Sequence, residues 1–374
     1  MHKILFVASI QDHLNSFHNP YMKWFKEQGW RVDCACLRDN DKTLPYCDSI
    51  IETPFERSPY RVGNLKAYKT LRKALKEGNY DIVHCHTPMA SVLTRIAAKS
   101  LRKRGLKVIY TAHGFHFFKG APKSGWLIYY PIEKWLSRYT DAIITINSED
   151  YNSTIDRNFK CMSYLVPGIG VDTSVFHAPS FEEKKKLRNE YGFPEEAFLL
   201  FYAAEFIPRK NQEYLIRQMS ELQLRIPNIQ LLLAGDGPQW DEMKQLADNL
   251  GVSDVVKFLG YRRDCQKLSA LSDVGVSASK QEGLPINVAE YLATGLPVVV
   301  SSERGHREMV QEGVNGFIYE TSDCNASFVI RVQQLYQDPV KRSEMGAAAK
   351  KSIEKFSIEN ALKAHIPIYR SLMP

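Results

Sequence analysis

Phe198-Leu199-Leu200-Phe201-Tyr202-Ala203, followed by a helical stretch over Gln212–Arg225 and then by Ile229-Gln230-Leu231-Leu232-Leu233-Ala234, decides the fold class. Two apolar runs, each of strand length, interrupted only at Gln230 and separated by a helix, are the signature of parallel strands covered on both faces. The alternation continues outward. Downstream lie a helix at Gln239–Leu250, strands at Val255–Leu259, Val274–Ser277 and Pro297–Ser301, and helices at Asp264–Leu271 and Val288–Thr294. The tail from Ala326 to Leu372 reads as two or three further helices. Upstream the same pattern occurs a first time, with strands at Ile4–Ala8, Val32–Cys36, Asp81–His84 and Lys107–Thr111 and helices at Asn19–Gln28, Leu65–Lys76 and Ser91–Lys103. A turn-rich stretch, Val166-Pro167-Gly168-Ile169-Gly170, and a charged helix over Glu182–Tyr191 separate the two series. The prediction is an α/β chain of two doubly wound domains. In such sheets ligands bind beyond the carboxyl ends of the strands, so two facing domains make a cleft there.

The length of 374 residues agrees with two domains, because a single core stops growing at about 250–300 residues. A 44% hydrophobic and 24% charged composition is that of a globular chain. Apolar runs such as Ile4–Ala8 and Leu296–Val300 fall far short of the roughly 20 residues that span a bilayer. Polar Gln11-Asp12-His13 follows the first run, which fits a buried strand better than a signal peptide and places the protein in the cytoplasm. Seven scattered cysteines without a C-x-x-C pair predict reduced thiols. The net charge of +7 divides unevenly, with +9 over residues 1–178 and −2 over the remainder. A basic first half points to an anionic partner, a lipid surface or a phosphorylated substrate, and away from nucleic acid, for which no reader motif is present.

The strongest chemical constellation is Glu282-Gly283-Leu284-Pro285-Ile286-Asn287-Val288-Ala289-Glu290. Pro285 reads as the first position of a helix, which puts Glu282 in the preceding loop and Glu290 about one turn inside. A helix start with free N–H groups is a natural diphosphate site. Two carboxylates beside it would repel phosphate and so suit neutral hydroxyl donors such as a sugar diol; by spacing alone they also fit ordinary surface acids. Arg209-Lys210-Asn211 follows the Phe198 strand, where cations could neutralise a departing diphosphate or form a solvated turn. Gly235-Asp236-Gly237-Pro238 reads as a tight turn. His13, His18, His84, His86, His113 and His116 gather in the first half. His113 is predicted at the edge of the binding region and His84 as a hydrogen-bonded core residue, while no H-E-x-x-H or similar spacing suggests a metal. Asp39-Asn40-Asp41 forms a minimal D-x-D that reads as a turn. Neither G-x-G-x-x-G, a P-loop nor G-x-S-x-G occurs, which disfavours dinucleotide oxidoreductases, P-loop NTPases and α/β-hydrolases.

Taken together, Glu282-x7-Glu290 running into Tyr291-Leu292-Ala293-Thr294-Gly295-Leu296-Pro297-Val298-Val299, with Lys210 after the strand, resembles glycosyltransferase family 4, whose members are retaining, nucleotide-sugar-dependent enzymes of the GT-B fold. Ser9 to Tyr21, Val83-His84-Cys85-His86-Thr87-Pro88, Thr111-Ala112-His113-Gly114-Phe115-His116-Phe117 and Val166-Pro167-Gly168-Ile169-Gly170-Val171-Asp172 look like the branch that builds bacterial capsule and exopolysaccharide units. The resemblance spans nearly the whole chain. It implies a first domain over residues 1–175 that binds the acceptor and a second over 176–374 that binds the donor, with the last helix packing back on the first. It also implies that Glu290 holds the nucleotide ribose, Glu282 the donor sugar, the Gly283 and Leu284 N–H groups the diphosphate, and Arg209 and Lys210 its charge. His113 would then sit against the transferred sugar, and the Gln11-Asp12-His13 loop would face the acceptor. His113, Lys210 and Glu282 become the catalytic set.

No metal or other cofactor is implied. The partners would be a nucleotide sugar, UDP-linked by family frequency, a lipid-linked saccharide acceptor and the anionic inner face of the membrane, with no nucleic acid. The chain departs from the family pattern at Glu205, where an arginine is usual, and at Ser9-Ile10-Gln11-Asp12, where a glycine-rich turn is usual. The competing readings are a nucleotide-sugar 2-epimerase of the same architecture and a two-lobed sugar-binding protein without catalysis.

Overall fold

A computed structural model describes residues 1–39, 43–56, 58, 60–321 and 327–374. The chain divides into two compact units, one comprising Met1–Gly170 with Ile358–Pro374 and the other Val171–Ser357. The division falls between Gly170 and Val171 rather than after residue 175, and the last helix, Ile358–Leu372, is grouped with the first unit. Both units are Rossmann-like.

The first unit holds seven strands, β1 (Lys3–Ile10), β2 (Arg31–Leu37), β3 (Ser49–Glu52), β4 (Ile82–Cys85), β5 (Lys107–Ala112), β6 (Ala142–Thr145) and β7 (Met162–Leu165). They form one parallel sheet in the order β3-β2-β1-β4-β5-β6-β7. Central β1 pairs Ile4–Val7 with Ile82–Cys85 on one side and Val32–Ala35 on the other. Its Ile4 to Ala8 are fully buried, the reason the run shows no polar alternation. On one face Leu5, Val7, Val83 and Val108 pack against Leu71 and Leu75 of the helix Gly63–Gly78 and Ala97 and Ala98 of Pro88–Ala98. On the other, Phe6 meets Phe25 of the helix Asn19–Glu27, and Tyr369 of the last helix meets Phe25 edge-on at 4.8 Å and stacks on Trp24 at 5.8 Å. His84 is the core histidine its sequence context predicts, hydrogen-bonded to Thr111 Oγ1 at 2.8 Å and to Tyr369 Oη at 3.1 Å.

Three features of this unit differ from the sequence reading. Gln11-Asp12-His13 is not a loop: the chain leaves β1 directly into a helix, Gln11–Phe17, with Asp12 in its first turn and Leu14 buried. No glycine follows the strand, a departure from the family turn, and the helix begins at Gln11. Strands β3 and β6, Ser49–Glu52 and Ala142–Thr145, lie where the sequence reading placed no strand. Of the D-x-D, Asp39 accepts the Asp12 backbone N–H at 3.0 Å, while Asn40 and Asp41 lie outside the described residues. Gly170 (φ +93°) needs to be glycine because a Cβ there would sit 2.5 Å from Ile358 Cα.

A buried ion pair fixes the aromatic segment over residues 115–139, where Phe117, Phe118, Trp126, Tyr129, Tyr130 and Trp135 lie among Lys119, Lys123, Lys134 and Arg138, to this unit. Arg95, fully buried, donates to Glu133 of the helix Tyr130–Leu136 at 2.7 and 3.0 Å and lies over the Tyr110 ring at 4.2 Å. Removing one partner strands a buried charge, at a cost of about 3–5 kcal/mol. Arg95→Met is therefore expected to lower the unfolding free energy by that amount in denaturant melts, and a loss below 1 kcal/mol would show the pair to be dispensable.

In the second unit β8 (Phe198–Ala203), β9 (Ile229–Ala234), β10 (Val256–Gly260), β11 (Val274–Ser277), β12 (Val298–Ser301) and β13 (Gly316–Tyr319) form a parallel sheet ordered β10-β9-β8-β11-β12-β13. The helices Gln212–Arg225 and Ser327–Gln337 bury Leu215, Ile216, Met219, Val329 and Val332 on one face, and Ile286–Ala293 buries Val288, Tyr291 and Leu292 on the other. The Gly235–Pro238 turn is a turn by necessity: Gly235 has φ +141°, and a Cβ there would meet Ala204 O at 2.0 Å.

Candidate active site

Each sheet reverses its strand order once, between β1 and β4 in the first unit and between β8 and β11 in the second. Successive connections diverge at such a point and leave a crevice at the carboxyl ends of the strands. The candidate residues fall at these two points.

In the second unit the loop after β8 carries Arg209 and Lys210, and the loop after β11 carries Glu282. Lys210 Nζ lies 2.5 Å from Glu282 Oε1, and Arg209 Nη1 lies 3.7 Å from the same oxygen. Burial acts to raise the Glu282 pKa, but the charges of Lys210 and Arg209 outweigh it and hold the carboxyl below its ordinary value. The exposed Glu205 stands where the family's arginine is usual, so Arg209 is the second cation at this carboxylate. Both loops are anchored. Tyr202 Oη donates to Lys210 O at 2.9 Å and shares a 2.9 Å hydrogen bond with Ser279 Oγ, the Lys280 N–H donates to Arg209 O at 2.7 Å, and Arg304 Nε donates to Glu282 O at 3.1 Å. Tyr202, Ser279 and Arg304 were not legible as site residues, since they act through hydrogen bonds from β8, the loop and a helix beyond β12.

Pro285 caps the helix Ile286–Ala293 rather than opening it, having extended ψ (112°). The helix is pinned to the end of β8 by Asn287 Nδ2 donating to Ala203 O at 3.1 Å and by the Ala203 N–H donating to Tyr291 Oη at 2.7 Å. Among the described residues the Gly283 and Leu284 N–H groups donate to no protein acceptor. Glu290, five residues into the helix, makes no ion pair or hydrogen bond through its carboxyl among the described residues, and its desolvation pushes the pKa up to about 8. The arrangement offers an ion-paired carboxylate, two free N–H groups and an uncommitted acid, a set suited to a polyhydroxylated anion.

In the first unit His113 stands just past β5, half-buried, with Nε2 3.4 Å from His86 Nδ1. His13, in the first turns of the helix Gln11–Phe17, has its ring 5.0 Å from that of His113. Gln11 is buried and Asp12 half-buried beside it. The structure thus brings His13 to His113 at one switch point, and Lys210, Arg209, Glu282 and Glu290 to the other. The aromatic segment divides: Phe117 is in the core, stacked on Phe115 at 4.6 Å, and Trp126 and Tyr130 pack against it, whereas Tyr129 and Trp135 are exposed together with Leu127, Ile128 and Ile132. Among the described residues no helix is long and apolar enough to cross a membrane.

Comparison with known proteins agrees with this architecture. Residues 183–352 match the family described as "Glycosyl transferases group 1", and residues 3–147 match "Glycosyl transferase 4-like". The putative glycosyltransferase EpsD of Bacillus subtilis is 42% identical over 372 residues, covering 99% of this chain and 97% of that protein. The Escherichia coli UDP-Gal:α-D-GlcNAc-diphosphoundecaprenol α-1,3-galactosyltransferase is 29% identical, covering 79% of this chain and 77% of its own. The crystal structure of Anabaena HepE in complex with UDP-glucose superposes with a TM-score of 0.81 at 20% identity, covering 99% of this chain and 100% of that one. With both units matched in sequence and both sheets matched in fold, this chain belongs to the group 1, family-4-like glycosyltransferases and is a transferase of the GT-B fold.

Proposed function

We propose that this glycosyltransferase moves a sugar, with retention, from a UDP-sugar to a lipid-linked saccharide acceptor in surface polysaccharide synthesis. The observation that carries the reading is the Lys210–Glu282 pair at the switch point of the second unit, beside the free Gly283 and Leu284 N–H groups. In this reading Glu290 accepts hydrogen bonds from the ribose hydroxyls and Glu282 from the donor sugar. The Gly283 and Leu284 N–H groups bind the diphosphate, whose growing charge Lys210 and Arg209 offset as the glycosidic bond breaks. His113 sits against the sugar, and Gln11, Asp12 and His13 belong to the acceptor side. An oxocarbenium-like sugar is attacked by the acceptor hydroxyl on the face the diphosphate leaves, and the hydroxyl proton passes to the departing diphosphate oxygen, which calls for positioning and charge stabilisation but no protein nucleophile or metal. The names of the E. coli relative and of the HepE complex, one a UDP-galactose enzyme with a diphosphoundecaprenol acceptor and the other bound to UDP-glucose, support the donor and acceptor classes. A panel of nucleotide sugars, with and without a lipid-linked saccharide, tests the reading. Acceptor-dependent release of nucleoside diphosphate is expected. An epimerised sugar would instead indicate a 2-epimerase, and binding without turnover a sugar-binding protein.

The first unit docks, in this reading, on the anionic inner membrane surface through the exposed Leu127, Ile128, Tyr129, Ile132 and Trp135, with exposed Lys119, Lys123 and Arg138 nearby. Each basic side chain at such a surface contributes about 1 kcal/mol, and a fully buried large apolar side chain about 1.5–3 kcal/mol. Co-sedimentation with anionic vesicles is expected at low salt and is expected to fall at least tenfold in a Leu127→Asp, Ile128→Asp double variant. Wild-type protein left in the supernatant at low salt would contradict docking.

A further inference from the structure

We infer that the first unit contains a binding site for a divalent transition metal of the zinc class, formed by the imidazoles of His13, His18, His86 and His113. One ring nitrogen from each lies within 4.8 Å of all the others. The four are distant in sequence but converge because β1, β4 and β5 are neighbours in the sheet. His13 and His18 come from the segment leaving β1, His86 directly follows β4, and His113 directly follows β5.

Two distances fit such an ion. A tetrahedral zinc with Zn–N bonds of about 2.0–2.1 Å places its ligand nitrogens about 3.3–3.4 Å apart. His13 Nε2 and His18 Nε2 are 3.4 Å apart, and so are His86 Nδ1 and His113 Nε2. These are two opposite edges of such a tetrahedron, already at length. Binding draws the two pairs together by turning rings, including His18 and His86, which now stack at 3.7 Å.

The cluster also differs from the satisfied histidine beside it. His84 has both ring nitrogens hydrogen-bonded, to Thr111 and Tyr369. His86 is fully buried, yet among the described residues its Nδ1, the nitrogen facing the cluster, has only the 3.4 Å contact to His113. Buried polar groups are rarely left so. Neutral imidazole is the form that ligates a metal. Imidazole sets suit zinc, copper and nickel rather than magnesium or calcium, which take oxygen ligands. An ion held here takes His113 out of reach of the sugar, so occupancy switches transfer off. That consequence rests on the functional reading above, whereas the binding does not.

The test is titration of the metal-free full chain with Zn²⁺ by calorimetry and with Co²⁺ by visible absorption. One ion per chain and the intense bands of tetrahedral Co²⁺ are expected, with affinity at least tenfold weaker in His18→Gln and in His86→Gln, each checked for folding by circular dichroism. The wild-type Co²⁺ spectrum decides even if both variants fail to fold. No stoichiometric binding, an octahedral spectrum, or unchanged affinity in a folded variant would overturn the site. Binding without inhibition would leave the site standing and remove His113 from the transfer step.

Discussion

Lys210→Ala is expected to lower kcat by about 10²–10³ while raising the donor KM far less, because losing one preorganised stabiliser of developing charge costs about 2.7–4 kcal/mol in the transition state. The structure adds a second consequence. Lys210 Nζ is 2.5 Å from Glu282, whose side chain is only 8% exposed, so the variant leaves that carboxylate with Arg209 alone at 3.7 Å. Breaking a buried pair from one side costs about 3–5 kcal/mol of stability. Glu282 titrates below its ordinary value, so its contribution is present above about pH 4.5 and is lost as pH falls through the lowered pKa. The double variant Lys210→Ala, Glu282→Ala removes both charges and should recover much of the stability but none of the turnover. Thermal melts and steady-state kinetics on the two variants separate these effects. A single variant with intact kcat and raised KM would reduce Lys210 to a binding residue.

The second large effect is a pH dependence of donor binding. Glu290 is held up at about 8 by desolvation, whereas a ribose diol donating two hydrogen bonds requires the carboxylate. Below pH 8 the donor must therefore draw on the ionised minority, and apparent affinity should weaken about tenfold per pH unit, near a hundredfold at pH 6. The diphosphate diester of a nucleotide sugar does not itself titrate in this range. Glu290→Gln should abolish the slope, and at pH 8 it should bind the donor about ten- to a hundredfold more weakly, the cost of a charge-assisted hydrogen bond. Calorimetry from pH 6 to 9 checks both statements. A flat wild-type profile would show that Glu290 does not meet the ribose.

The origin of these effects was only partly legible in the sequence. Phe198–Ala203, Ile229–Ala234 and Val274–Ser277 occupy the predicted spans because fully buried parallel strands leave an unambiguous apolar run. Short strands such as Ser49–Glu52, half exposed, leave none. Glu282 and Lys210 could be singled out by motif, but their contact across 72 residues exists only because β8 and β11 are adjacent. The depth of Glu290 was equally hidden. Its helix buries Asn287, Val288, Ala289, Tyr291, Leu292 and Ala293, so no polar face marks where an acid would meet water. The histidines show the limit most clearly: ligand spacing along the chain suggested no metal, and the sheet order brings four imidazoles together from three strand ends. In the aromatic segment, composition could not tell Phe117, buried against Phe115, from Trp135, which is 43% exposed.

In the proposed transfer the leaving diphosphate is stabilised and the acceptor attacks from the face it leaves, so the anomeric configuration of the sugar is retained. Its most direct test is the anomeric configuration of the product formed from an α-linked UDP-sugar and a lipid-linked saccharide, read from the anomeric proton coupling by NMR. An α-linked product, formed with release of UDP and lost in Lys210→Ala, is predicted. A β-linked product would rule out transfer with retention.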